Sequence, residues 1–106
     1  GPNNLKTVKV QYKVKPGFAE TNKANISKVM QELRDLNDDG IKYSAFTCGD
    51  GQTFIHLAMF SDESGQQKLN GLESFKNFQA ALKESEPVEP PKPDLLAVVD
   101  SSYEIF

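Results

Sequence analysis

The sequence predicts an α+β domain in which a four-stranded antiparallel sheet carries two helices on one face. Three observations lead there. Apolar residues alternate along residues 6–15 and 51–60, as the pleat of a strand requires. They recur at helical spacing over residues 19–37 and 62–82. Only Gly49-Asp50-Gly51 separates the two middle strands, the length of a tight hairpin. Strand, helix, strand, strand, helix, strand is the resulting order, a ferredoxin-like βαββαβ arrangement over residues 5–106 as a single domain. Gly1-Pro2 reads as a protease scar and stays outside that domain.

In residues 6–15, Val8, Val10, Tyr12 and Val14 form one face, and Lys9, Gln11, Lys13 and Lys15 the other. Pro16-Gly17 ends this strand. Ile26, Val29, Met30, Leu33 and Leu36 then make the apolar stripe of a helix that Asp38-Asp39-Gly40 stops. Residues 41–48 form a second strand, with Tyr43 and Phe46 as pleat residues. The third strand, GQTFIHLAMF at 51–60, is apolar on both faces, so it belongs in the middle of the sheet. Right-handed crossovers also put the first and third strands in the centre. Its Phe54, Ala58 and Phe60 are expected on the face that the helices leave open, an apolar surface suited to a second copy of the chain.

Ser61-Asp62-Glu63-Ser64 offers N-caps for the next helix. Asn70-Gly71 breaks that helix into a piece with Leu69 and a piece with Leu72, Phe75, Phe78 and Leu82. PVEPPKP at 87–93 is expected to be a stiff connector, because proline donates no ladder hydrogen bond. Residues 95–106 are expected to form a long last strand whose end, with Tyr103, Ile105 and Phe106, reaches the other subunit.

The segments VQYKVKPG at 10–17, GDGQTFIHLAMFSDE at 49–63, SFKNFQAAL at 74–82 and VVDSSYEIF at 98–106 resemble the dimeric α/β-barrel superfamily. In particular the chain is similar to small antibiotic-biosynthesis-monooxygenase-like domains, in a subgroup of unestablished function. The resemblance implies a homodimer with two sheets packed face to face as a barrel, and a small-molecule pocket between sheet and helices. It also implies cofactor-free oxygenation of quinol- or anthrone-like aromatics, or heme degradation in one branch. That branch uses a tryptophan and a histidine on the second helix; this chain has no tryptophan, and Lys68 and Gln79 stand near those places.

The candidate catalytic residue is His56, the single histidine, whose unperturbed pKa suits a general base near neutrality. A strand histidine hydrogen-bonded across the sheet or the dimer interface is the competing reading. If Val8, Val10 and Tyr12 share the helix side with Ile55, Leu57 and Met59, His56 faces the barrel interior. Tyr12, Tyr43 and Tyr103 are candidate hydrogen-bond donors to substrate, and each is equally a core tyrosine with its hydroxyl at the rim. Phe75 and Phe78 serve as core stripe or pocket wall. Asp35–Gly40 imitates half of a calcium loop, but Phe46 occupies the twelfth position, so a helix stop is expected and no metal. No cofactor is expected either.

Twelve basic against fifteen acidic residues, a net charge of −3, argue against nucleic-acid binding, and no run is apolar enough to span a membrane. The lone Cys48 forms no internal disulfide. A cytoplasmic homodimer is expected, with a small hydrophobic or aromatic ligand. It is either a cofactor-independent monooxygenase or a non-catalytic ligand-binding or assembly module.

Overall fold

The computed structural model describes residues 5–106, so the expectation of a protease scar at Gly1-Pro2 lies outside the described residues. Strand β1 spans Lys6–Lys13, and a single 3-10 turn at Pro16–Phe18 leads into helix α1, Ala19–Leu36. Strands β2, Ile41–Thr47, and β3, Thr53–Phe60, follow as a hairpin. The second helical region is broken into α2, Glu63–Gly71, and α3, Glu73–Glu84, and β4, Glu89–Leu96, closes the sheet. The order β2-β3-β1-β4 is antiparallel throughout and puts the first and third strands in the centre, as expected.

Local chemistry explains the boundaries. Asn37 ends α1 in the left-handed region, φ 53°, with its N–H on the Leu33 carbonyl; asparagine tolerates that conformation better than most residues. In the hairpin Gly51 supplies a positive φ of 71°, and Asp50 Oδ1 accepts the N–H groups of Gln52 and Thr53. Asp62 caps α2 by accepting the Ser64 N–H. Leu72, extended at ψ 134°, makes the break and offers α3 no side-chain cap. Glu32 of α1 fills that role from outside, accepting the Ser74 N–H at 3.1 Å. A carboxylate at a helix N-terminus is favourable, and here it also ties α1 to α3.

Pairing register decides which face of β3 is covered. Val8 lies opposite Ala58, Val10 opposite His56 and Tyr12 opposite Phe54. Residues directly across a ladder share a face, so Tyr12 and its neighbours carry Phe54, His56, Ala58 and Phe60 under the helices. Phe54 and Phe60 are each only 1% exposed. The expectation of an open face around Phe54, Ala58 and Phe60 is therefore corrected: the open face carries the half-buried Ile55, Leu57 and Met59 beside Lys9 and Gln11. The helix-side core joins Tyr12, Val14, Ile26, Val29, Leu69, Phe75, Phe78 and Leu82 to the inward residues of β3.

Two expectations about the C-terminal region are also corrected. The proline-rich segment is part of β4 and not a connector, with Pro93 opposite Val10 and Lys92 opposite Gln11. It is an edge strand, where missing N–H groups can face solvent, and its register shifts between Gln11 and Lys13. The long last strand over 95–106 does not form. Leu96 pairs with Thr7 near the start of β1, so the partner strand runs out there. The tail instead turns back past Thr7 and Ser61 to β2, where Lys42 Nζ donates to the Ile105 carbonyl and lies 5.0 Å from the centre of the Phe106 ring.

Candidate functional site

His56 sits in the middle of β3 with Val10 and Ala45 directly opposite on the flanking strands. Tyr12 lies two residues along β1 and Tyr43 two residues along β2, each on the same helix-facing side. Diagonal neighbours at that separation are within reach of long aromatic side chains. The Tyr12 hydroxyl is 2.8 Å from His56 Nε2, and the Tyr43 hydroxyl is 2.7 Å from Nδ1. Both imidazole nitrogens are thereby engaged. Phe78 of α3 stacks on the ring at 5.3 Å between centroids, and Phe75 meets Tyr43 edge-on at 6.4 Å.

A fourth polar residue joins from α1. Asn22, fully buried, donates through Nδ2 to the Tyr12 hydroxyl at 2.8 Å, while its Oδ1 has no hydrogen-bond partner. An unpaired buried acceptor costs about 1–3 kcal/mol. Sequence reasoning missed Asn22, although a signal existed. It precedes Ile26 and Val29 by four and seven residues, which puts a polar side chain on the apolar stripe of α1.

Next to this network lies a cavity of about 390 Å³, within the range of small-molecule sites. Val10, Phe75, Phe78 and Leu82 form its apolar wall, and Tyr12, Tyr43 and His56 its polar end. The exposed Gln79, Lys83, Pro90 and Pro91 stand at the mouth. The register correction thus resolves the open question about His56: it faces the helix-side pocket and not the outer sheet face. Tyr103 does not join it. That residue is 61% exposed in the tail, beside Leu5 and Thr7. Lys68 pairs with Asp38, and Gln79 lines the cavity mouth. Asp38 also accepts the Gly40 N–H, so the calcium-like segment works as a helix stop.

Burial dominates the electrostatics. It lowers the His56 pKa to about 4, so the imidazole is neutral at physiological pH. Burial raises Tyr12, with the Asn22 hydrogen bond acting in the opposite direction; it also raises Tyr43, and the neighbouring Tyr12 adds to that rise. Both phenols stay protonated and can donate. Among the described residues no group of three or more histidine, cysteine, aspartate or glutamate side chains could hold a metal. No helix there is long and apolar enough to cross a membrane.

A ferredoxin-like domain with an aromatic, hydroxyl-lined pocket between sheet and helices is the class that fold and site define. No family model matches the sequence, and no curated protein matches it by sequence. Solved structures do match in fold. Rv0793 from Mycobacterium tuberculosis superposes with a TM-score of 0.78 at 17% identity, over 94% of this chain and 100% of that one. A protein described as antibiotic biosynthesis monooxygenase gives 0.74 at 13% identity, over 90% and 99%. A mutant form of SnoaB, a cofactor-independent oxygenase from Streptomyces nogalater, gives 0.72 at 12% identity, over 95% and 99%. The chain shares its ferredoxin-like fold with these structures, among them one described as antibiotic biosynthesis monooxygenase.

Proposed function

We propose that the protein binds a flat aromatic metabolite with a phenolic or enolisable oxygen and oxidises it with molecular oxygen, without metal or organic cofactor. The observation that carries this reading is the His56–Tyr43 pair at the polar end of an otherwise apolar cavity. The substrate oxygen would meet Tyr43, and its proton would pass through that hydroxyl to His56. An isolated imidazolium is disfavoured here, as the pKa near 4 states. Proton transfer from substrate does not create an isolated one. It leaves an anion one hydroxyl away, and the attraction between the two charges in a dry pocket offsets the desolvation. The electron-rich anion then reduces oxygen directly. For an anthrone-type substrate the methylene carbon loses two hydrogens and gains one oxygen atom, and the second oxygen atom leaves as water.

The site works in a homodimer in this proposal, with Ile55, Leu57 and Met59 of one sheet packed on those of a second copy, and in the cytoplasm. A second reading, a binding module without turnover, is favoured by one feature. Both nitrogens of His56 are occupied by tyrosine hydroxyls, so neither opens freely to the cavity.

Oxygen consumption separates the two readings. Metal-stripped protein is given dihydroxynaphthalenes and anthrones, alongside His56→Gln and Tyr43→Phe. Base catalysis predicts losses of about 10²–10⁴-fold in both variants. Turnover that survives both substitutions removes this pair from the chemistry. Tight binding without oxygen uptake on any of these compounds supports the binding module.

A further inference from the structure

We infer that Asn22 is the positioning residue that makes His56 able to accept a proton, by turning its carboxamide so that Oδ1 receives the Tyr12 hydroxyl. The inference rests on the proposed proton transfer at this site. Hydrogen-bond counting carries it. A phenol has one proton to donate, a neutral imidazole has one N–H and one bare nitrogen, and a carboxamide donates from one end and accepts at the other.

In the orientation observed, Asn22 Nδ2 donates to the Tyr12 oxygen. Tyr12 must then send its own proton to His56 Nε2, and the ring carries its proton on Nδ1, where it donates to Tyr43. The Tyr43 proton is left to point at a ligand in the cavity. This arrangement satisfies the buried groups of the relay except Asn22 Oδ1, the atom found without a partner. It suits a ligand oxygen that accepts, such as a ketone product.

Taking a proton from substrate requires the other tautomer. Nδ1 must be bare and Nε2 must donate to Tyr12. The substrate O–H bond then breaks as Tyr43 gains that proton, and the Tyr43 proton moves to Nδ1. The ring becomes an imidazolium that donates from both nitrogens. In this state Tyr12 can no longer donate to His56, and its hydroxyl proton needs a new acceptor. The described residues hold two buried side-chain atoms without a partner, Thr7 Oγ1 and Asn22 Oδ1. Thr7 pairs with Met59 on the opposite face of the sheet. Asn22 Oδ1 reaches Tyr12 by a half-turn of the amide, which exchanges two groups of nearly equal size.

The other elements around His56 supply no competing charge. Tyr12 comes from β1, Tyr43 from β2 and Phe78 from α3. Prolines 90 and 91 of β4 line the mouth, and the charged residue of the cavity lining is Lys83, which stands exposed there.

The single histidine makes the test direct, because ¹⁵N-histidine labelling gives one set of ring signals. Ring tautomer at pH 7 and protonation midpoint are read on ligand-free wild type, Asn22→Asp and Asn22→Leu. In wild type the Nδ1–H form should dominate. An ionised aspartate can only accept, so it should draw the Tyr12 proton, convert the ring to the Nε2–H or doubly protonated form, and raise the midpoint by at least one pH unit. Leucine should keep the Nδ1–H form and make the ring about tenfold less basic than wild type. Should Asn22→Asp fail to fold, the leucine midpoint decides. One tautomer and one midpoint shared by all the folded proteins would overturn the inference. The ring signals are independent of turnover, so altered signals without any oxygen uptake would sink the oxygenase reading while leaving Asn22 in this role.

Discussion

Acidification should weaken the fold in a window set chiefly by His56. Its pKa is about 4 in the folded chain against 6.5 as an ordinary value. Between those limits the unfolded chain binds a proton that the folded chain refuses, so unfolding becomes easier as pH falls. The stabilisation is fully present above pH 6.5, and it is lost as the pH approaches 4. Two and a half pKa units at about 1.36 kcal/mol each make the whole loss about 3 kcal/mol, of which about 2 kcal/mol has gone by pH 5. That is a large share of the roughly 5–15 kcal/mol that holds a small domain together. The carboxylates that titrate abnormally act elsewhere. Asp38, Asp50 and Asp62 are all shifted below 3.8 by hydrogen bonds, so their contributions vanish only in stronger acid. Urea unfolding at pH 7, 6, 5 and 4.5, at one fixed protein concentration, measures the effect. His56→Gln removes the titrating group and should flatten the curve in this window, whatever it costs at pH 7. A variant that loses as much stability as wild type between pH 6.5 and 4.5 would refute the reasoning.

Three further predictions test the assignment of the sheet faces and the tail. Leu57→Asp puts a charge at the centre of the open sheet face and should shift light-scattering mass from dimer towards monomer without unfolding the chain; an unchanged dimer would place the interface elsewhere. Ala58→Asp, by contrast, buries the charge under the helices at a site 8% exposed, and should unfold the protein. Deleting residues 103–106 removes the Phe106 contact with Lys42 and should lower both thermal stability and dimer affinity. If neither changes, the tail contributes nothing to the interface.

Much of the fold was legible because each element carries its own period. The apolar stripe of α1 and the Phe75–Phe78–Leu82 stripe of α3 read directly from spacing. What failed was relational. Both faces of β3 are apolar, so alternation alone could not say which face the helices cover. A shift of one residue against β1 exchanges them. Proline excludes a segment from an interior strand but not from an edge strand, and the edge place of β4 depends on a sheet order that spacing does not give. The tail is not a strand because the ladder to β1 ends at the Thr7–Leu96 pair, next to the start of β1 at Lys6.

The candidate site shows the same division in sharper form. His56, Tyr12, Tyr43, Phe75 and Phe78 were each legible as residues able to do chemistry or line a pocket. Their assembly was not, since Tyr12 and His56 stand 44 positions apart and meet only through the β1–β3 register. Once that register is fixed, the residues directly opposite His56 on the flanking strands follow from it. Val10 and Ala45 occupy those places, and both are short. The ring meets the Tyr12 hydroxyl of β1 at one nitrogen and the Tyr43 hydroxyl of β2 at the other. The proposed proton relay thus draws on residues of β1, β2, β3 and α1 that only the folded chain brings together.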